Sequence, residues 1–77
     1  MARLFIGAGR TAGMRPADLV GAITNEAGVE GRQIGTIQIG DAYSIVEVPE
    51  ELANQVISAL REATLRGKKV PVRRDRV

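Results

Sequence analysis

Positively charged side chains are the most prominent chemical groups of this 77-residue sequence, and they gather at its two ends. Residues 1–15 carry three arginines and no acid, and residues 61–77 carry seven cations and two acids. Residues 16–60, by contrast, carry one arginine and seven acids. Clustered arginine and lysine side chains can bind the phosphates of a polyanion, although a charged run is often only a solvated face. The charge pattern alone leaves both interpretations open.

The aromatic residues Phe5 and Tyr43 offer a second kind of chemistry. An aromatic ring on an exposed sheet can stack on a nucleobase, which contributes about 1 to 3 kcal/mol per base. A domain of this size is short of apolar mass and would normally bury its one phenylalanine. The position of these rings, in the core or on the surface, therefore separates a structural role from a binding role.

Catalytic chemistry is almost absent from the sequence. It has no cysteine and no histidine, which excludes a disulfide framework, a thiol nucleophile, an imidazole base and a zinc site of the usual ligands. It contains neither a phosphate-binding G-x-x-x-x-G-K-[ST] loop nor an Asp-Glu-Ala-Asp run, and most of its acids fall at predicted helix starts, turns or strand edges. We therefore expect a binding module with no catalytic residue, no cofactor and no metal.

Length and composition predict one soluble domain over residues 1–77. The hydrophobic share of 44% and the charged share of 26% are ordinary globular values, and a chain this short cannot form two cores. The apolar runs are only a few residues long and predict neither a signal peptide nor a membrane span. We expect a cytoplasmic setting.

Two segments carry the signals of helices. Pro16 and Asp18 favour a helix start, and apolar residues then recur at helical spacing until Gly28. Pro49 opens a similar pattern, and an apolar stripe continues from there to about Thr64.

Four segments are typical of strands. Residues 3–8 form a short apolar run that ends in glycines, and residues 36–39 and 43–48 alternate on either side of a turn, which predicts a hairpin. Residues 69–73 also alternate, with Val70 and Val72 on one side, but Pro71 confines that strand to a sheet edge.

The order βαββαβ predicts an α+β fold of the ferredoxin-like type, with a four-stranded antiparallel sheet and both helices on one face. Its first and last strands lie side by side, so the two basic ends should meet. If Leu4 and Ile6 face the helices, Phe5 faces outward, and the alternation of residues 43–48 places Tyr43 on the same open face. A register error of one residue would instead put Phe5 in the core.

Several segments resemble one family of RNA-binding domains. Residues 4–6 resemble the second ribonucleoprotein motif of an RNA recognition motif, and residues 41–48 occupy the place of the first, in which Tyr43 and Val46 match. The runs RPADLVGAI (15–23), EAGV (26–29), IGTIQI (34–39) and GKKV (67–70) resemble the C-terminal RNA-binding domain of bacterial DEAD-box RNA helicases, a DbpA-type RNA recognition motif. The resemblance covers residues 3 to about 74.

The resemblance implies a module that captures structured RNA, ribosomal in several members, and tethers it to an ATP-dependent helicase core in the same, longer protein. The chain would then be a fragment of that protein. We expect base stacking by the two aromatics and phosphate contacts from one basic strip, which the tail up to Arg76 would extend. The predicted RNA-binding residues are Arg3, Phe5, Arg10, Arg15, Tyr43, Lys68, Lys69, Arg73 and Arg74.

A different class of function is also compatible with the predicted fold. A ferredoxin-like regulatory or protein-interaction module would bind a small ligand or a partner protein through its sheet edge or helices. The segregated charge and the outward aromatics favour RNA, and an indifference of binding to salt would favour the alternative. The sequence leaves open which RNA is bound, whether sheet or loops dominate, and the oligomeric state.

Overall fold

The computed structural model describes residues 1–75 of the chain and has the predicted order of elements. The strands are β1 (Ala2–Ile6), β2 (Ile37–Ile39), β3 (Ser44–Val48) and β4 (Val72–Arg74), and the helices are α1 (Pro16–Ala27) and α2 (Ala53–Glu62). Short 3-10 turns at Arg10–Ala12, Gly31–Gln33 and Glu50–Leu52 join them. Within the described residues, neither helix is long and apolar enough to cross a membrane.

The four strands form one antiparallel sheet in the order β2-β3-β1-β4. Strand β1 is central, with Phe5 opposite Ile45 on β3 and opposite Arg73 on β4. The first and last strands are therefore neighbours, as the ferredoxin-like fold requires, and the prediction of this architecture is confirmed.

The helix boundaries follow local chemistry. The backbone N–H of Arg15 donates to Asp18 Oδ2 at 3.0 Å at the start of α1, and the helix ends at Gly28, whose φ of 69° suits glycine. Helix α2 is shorter than the apolar stripe predicted, because residues 50–52 form a 3-10 turn and the helix ends at Glu62.

The core lies between the helices and one face of the sheet. Its fully buried side chains include Leu4, Ile6, Leu19, Ile23, Val46, Val48, Val56 and Leu60. Burying an aliphatic side chain of this size contributes about 1.5 to 3 kcal/mol. The buried hydroxyl of Ser44 donates to the carbonyl oxygen of Ala8 at 2.7 Å, so this polar group is satisfied within the core.

The last strand, β4 (Val72–Arg74), begins later than the strand predicted over residues 69–73. A tight turn with reciprocal backbone hydrogen bonds between Leu65 and Lys68 precedes it. Pro71 has no N–H to donate, but its carbonyl oxygen accepts from the Gly7 N–H at 2.8 Å and aligns the chain beside β1. The strand therefore starts one residue after the proline.

Candidate nucleic-acid interface

A row of two aromatic rings and one guanidinium crosses the side of the sheet that faces away from the helices, which we call the open face. Phe5 alternates with buried Leu4 and Ile6 on β1. The Tyr43 ring stacks on Phe5 with 5.7 Å between centroids and 15° between planes. The guanidinium carbon of Arg73 lies 4.3 Å from the Phe5 centroid, over the ring. The predicted outward orientation of both aromatics is confirmed.

Phe5 is covered from both flanks of its strand. Tyr43 directly precedes β3, Arg73 belongs to β4, and these two strands border β1 on opposite sides. Phe5 is half-buried as a result, whereas Tyr43 is 47% exposed. A base approaching this row meets Tyr43 and the planar guanidinium of Arg73, a group that also stacks on rings, before it meets Phe5.

A hollow of about 150 Å³ adjoins the row on the β2–β3 side of the open face, and it is lined by Arg3, Thr36, Gln38, Ile45 and Glu47. Ile45 is only 6% exposed although it points to the open face, so this face has a small apolar floor. Glu47 Oε1 accepts from the Thr36 N–H at 3.2 Å. The carboxylate of Glu47 repels phosphates, which disfavours a backbone path over this part of the sheet.

Three connections meet at the second candidate region, which we call the loop end: the β1–α1 loop (7–15), the β2–β3 turn (40–43) and the α2–β4 turn (63–71). The backbone N–H of Arg10 donates to the Gly40 carbonyl at 2.8 Å, and that of Thr11 donates to the Asp41 carbonyl at 3.0 Å. A Cβ on Gly9 would overlap the Gly40 carbonyl oxygen, so only glycine permits this approach.

The loop end carries Arg10, Arg15, Lys68 and Lys69, four of the predicted RNA-binding residues, all of them exposed. Antiparallel topology brings the end of β1 and the start of β4 to this same edge of the sheet. The structure thus gathers these cations from both basic segments of the sequence.

Ion pairs divide the predicted cations into two groups. Three of them form ion pairs. Arg3 Nη2 lies 3.5 Å from Asp75 Oδ2, and Arg10 Nε lies 3.5 Å from Asp41 Oδ1. Arg74 Nη1 lies 2.6 Å from Glu50 Oε1. Within residues 1–75, no carboxylate oxygen lies within 4.0 Å of the side-chain nitrogens of the four remaining cations, Arg15, Lys68, Lys69 and Arg73. Exposed ion pairs contribute little energy, so the paired arginines can still turn towards an anion.

The single basic strip expected from the sequence is not what the structure contains. Arg3 lies near the start of β1, at the opposite end of the sheet from the loop end. Arg74 pairs in register with buried Leu4 and therefore lies on the helix side of β4, where it contacts Glu50 at the beginning of the turn before α2. Arg76, in the predicted tail, lies outside the described residues.

Two further arginines lie close to these regions, Arg66 at the loop end and Arg61 beside β4, although the sequence analysis did not single them out. Arg66 lies in the α2–β4 turn, 4.0 Å from Asp18. Arg61 lies on α2, and its Nε donates to the carbonyl oxygen of Val72 on β4 at 2.9 Å. The apolar stripe of α2 was the available signal for Arg61, because it fixes which residues flank the buried face.

The four-stranded sheet with its two helices has the fold of an RNA recognition motif. The chain superposes on a solved structure of the Nab3 RNA recognition motif, described as recognising cis elements of non-polyadenylated RNAs, with a TM-score of 0.79. The match covers 99% of this chain and 96% of that one, at 19% sequence identity, and shows the shared fold.

The family is more specific. Residues 3–74 match the model of the DbpA RNA-binding domain, and the chain belongs to this family of RNA-binding domains. It is 37% identical over 73 residues to the ATP-dependent RNA helicase DbpA of Escherichia coli, covering 95% of this chain and 16% of the helicase. It is 35% identical over 68 residues to the ATP-dependent RNA helicase DeaD of Buchnera aphidicola, covering 88% of this chain and 11% of the helicase. The chain thus spans less than a fifth of these curated relatives.

Proposed function

We propose that this RNA-binding domain captures structured RNA, ribosomal RNA among its candidates, and tethers it to an ATP-dependent DEAD-box helicase core in the same polypeptide. The observation that carries the RNA part is the juxtaposition of the stacked Tyr43–Phe5–Arg73 row with a loop end that carries Lys68 and Lys69. Rings bind bases through their faces, and cations bind phosphates, so the pair of surfaces suits RNA with both accessible bases and a folded backbone.

The geometry supports shape recognition more than the reading of a long single strand. Ile45 occupies a place where a second aromatic would extend the stacking platform, so the row offers room for at most two bases. The loop end projects beyond the strands and can contact the phosphates of a neighbouring duplex. In the proposed complex, Arg10, Arg15, Lys68 and Lys69 contact the backbone there, while Tyr43, Phe5 and Arg73 hold an unpaired base.

The tethering part of the proposal rests on the relatives. They are named as ATP-dependent RNA helicases, and the chain matches only a small share of their length. A helicase core in the remainder of a longer protein would supply ATP hydrolysis, while this domain would supply RNA affinity. A cytoplasmic setting belongs to the same proposal.

Titration of the chain with two RNAs at two salt concentrations tests the RNA part. One RNA is a folded fragment of ribosomal RNA, and the other is a single strand of equal length and composition. We expect tighter binding of the structured RNA, with the logarithm of the affinity falling by roughly 0.7 to 0.9 per phosphate contact and decade of salt. Equal, salt-independent affinities would contradict the proposal and favour a protein-interaction module.

A chimera tests the tether. The E. coli DbpA helicase core, with its own RNA-binding domain removed, is joined to this chain, and ATP hydrolysis is measured with each RNA. We expect the hydrolysis to be stimulated at lower concentrations of the structured RNA than for the core alone. The matched control is the same chimera carrying Lys68→Glu and Lys69→Glu. Identical stimulation of the chimera and the isolated core would refute tethering.

A further inference from the structure

A groove of about 520 Å³ runs between α2 and the free edge of β4, outside the open face and the loop end. Its lining residues are Asn54, Ile57, Ser58, Arg61, Arg73 and Arg74. Three of the six are arginines and none is acidic. The acid nearest to this lining is Glu50, whose Oε1 lies 2.6 Å from Arg74 Nη1. Glu50 is the first residue of the 3-10 turn before α2.

The backbone of β4 contributes donors to this groove. Gly7 N–H donates to the Pro71 carbonyl and Asp75 N–H donates to the Arg3 carbonyl, both at 2.8 Å, so residues 71 and 75 direct these groups towards β1. In an antiparallel pair, the backbone groups of successive residues point alternately towards the partner strand and away from it. The N–H and C=O groups of Val72 and Arg74 therefore point towards the free edge. The Val72 carbonyl is occupied by Arg61 Nε at 2.9 Å. The outward N–H groups are left as donors beside three guanidinium groups.

The helix side of the groove is polar and regularly spaced. Asn54, Ser58 and Arg61 follow one another at intervals of four and three residues along α2, which places them on one helix face. All three are exposed. Arg61 is held in position by its bond to Val72, so its remaining guanidinium donors are oriented before any ligand arrives.

We propose that this groove binds the phosphodiester backbone of RNA where the strand leaves the open face over the β4 edge; the inference rests on the proposed RNA-binding function and extends its footprint. Arg73 belongs to both regions, since it lies over the Phe5 ring and lines the groove. The Glu47 carboxylate repels an RNA backbone that leaves the open face across β2, whereas Arg61 and Arg74 attract one that leaves over the β4 edge.

The edge is poorly suited to an added peptide strand. Such a strand pairs with both the N–H and the C=O groups of the edge, but Arg61 already occupies the Val72 carbonyl. Charged side chains along an edge also oppose strand pairing. An acidic protein segment lying across the arginines is the competing occupant, and the experiment below distinguishes it.

The test uses two variants of the groove, each with a matched control. Ser58→Asp adds a negative charge at an exposed position on α2, and Asn25→Asp adds the same charge at an exposed position on α1, outside the groove. Arg61→Gln removes one cation, and Arg32→Gln makes the same change at an exposed arginine in the α1–β2 connection. Affinity for a structured RNA with a single-stranded extension is measured at several salt concentrations, together with the melting temperature of each variant.

We expect Ser58→Asp and Arg61→Gln to weaken binding about threefold to tenfold, and Arg61→Gln to lower the salt slope by about 0.7 to 0.9. Both controls should match the parent chain. Removing the single-stranded extension from the RNA should lower the affinity of the parent chain to that of the Arg61→Gln variant. The affinity of the Arg61→Gln variant should not change when the extension is removed. Because Ser58 is exposed, its variant tests the groove even if Arg61→Gln lowers the melting temperature.

Two results would overturn the inference. Parental affinity and salt slope in both groove variants, with binding still weakened by Lys68→Glu and Lys69→Glu, would show that RNA bypasses the groove. Tighter binding of a poly-glutamate peptide than of RNA of equal charge, lost in Arg61→Gln, would assign the groove to an acidic protein segment. Absence of salt-dependent RNA binding by the parent chain would instead refute the proposed function.

Discussion

The open face and the loop end present their cations in different ways. On the open face, Arg73 lies over the Phe5 ring, and the stack fixes the height and direction of its guanidinium. At the loop end, Lys68 and Lys69 lie in an exposed turn, and in the described part of the chain no carboxylate oxygen lies within 4.0 Å of their side-chain nitrogens. A fixed guanidinium beside rings can select geometry, whereas a flexible ammonium is a point charge that can bind a phosphate from many directions. In the proposed complex, the loop end therefore positions the RNA through its phosphates, and the open face recognises a base.

The largest expected effect follows from reversing charge at the loop end. Lys68→Glu combined with Lys69→Glu should weaken binding on the order of a hundredfold, because two phosphate contacts become repulsions. The loss should be similar for all RNAs, since phosphate contacts carry no sequence information. Fluorescence anisotropy with several RNAs measures it, and Arg32→Glu is the control for charge. A loss confined to one RNA would place recognition at the loop end instead of the open face.

The next effect belongs to Tyr43. Tyr43→Ala should lose about 1 to 3 kcal/mol of RNA affinity while the melting temperature changes little, because the side chain is 47% exposed. Tyr43→Phe keeps the ring and should bind like the parent. Calorimetric titration and thermal melting, made on the same samples, separate the two quantities. A much lower melting temperature with unchanged affinity would mean that the ring serves the fold alone.

Phe5 should show the reverse balance. Phe5→Ala removes a half-buried ring from between Tyr43 and Arg73, so we expect the free energy of unfolding to fall by about 1 to 3 kcal/mol, below the cost for a fully buried ring. Affinity per folded molecule should fall less than in Tyr43→Ala. Urea unfolding and binding at low temperature measure these effects, with Phe5→Leu as a control for volume. An affinity loss larger than that of Tyr43→Ala would make Phe5 the main stacking surface.

The smallest effect tests an ion pair at the loop end. Asp41→Asn releases Arg10, whose Nε lies 3.5 Å from the carboxylate, and leaves the backbone carbonyl that binds Thr11 in place. We expect RNA affinity to rise about twofold, in keeping with the weak energy of exposed ion pairs. The gain should disappear at high salt. Unchanged affinity at low salt would exclude Arg10 from the interface.

The sequence predicted the order of elements because its signals agree at every level. Pro16, Gly28 and the alternation of residues 43–48 mark boundaries and faces without reference to the rest of the chain. The outward direction of Phe5 follows from the same alternation. Local signals of this kind suffice wherever a strand has one buried face.

The arrangement of side chains on the surface could not be predicted in the same way. Periodicity shows that Phe5 points outward, but only the rotamers of Tyr43 and Arg73 determine that its ring is covered. The prediction of a single basic strip was wrong for a related reason. The alternation along β4 places Arg74 on the helix side of the sheet, where it contacts Glu50, a residue 24 positions away. Such contacts depend on the packing of distant elements.

The contact of Gly9 with the hairpin turn has a consequence for the rate of complex formation. Since the β1–α1 loop is bonded to Gly40 and Asp41, we expect this loop and the β2–β3 turn to move together as one rigid lip, and the amides of Arg10 and Thr11 to exchange slowly with solvent deuterium despite their surface position. A partner that docks on a rigid lip need not wait for a loop to reorganise. Encounter between the two molecules, accelerated by their opposite charges, would then set the association rate.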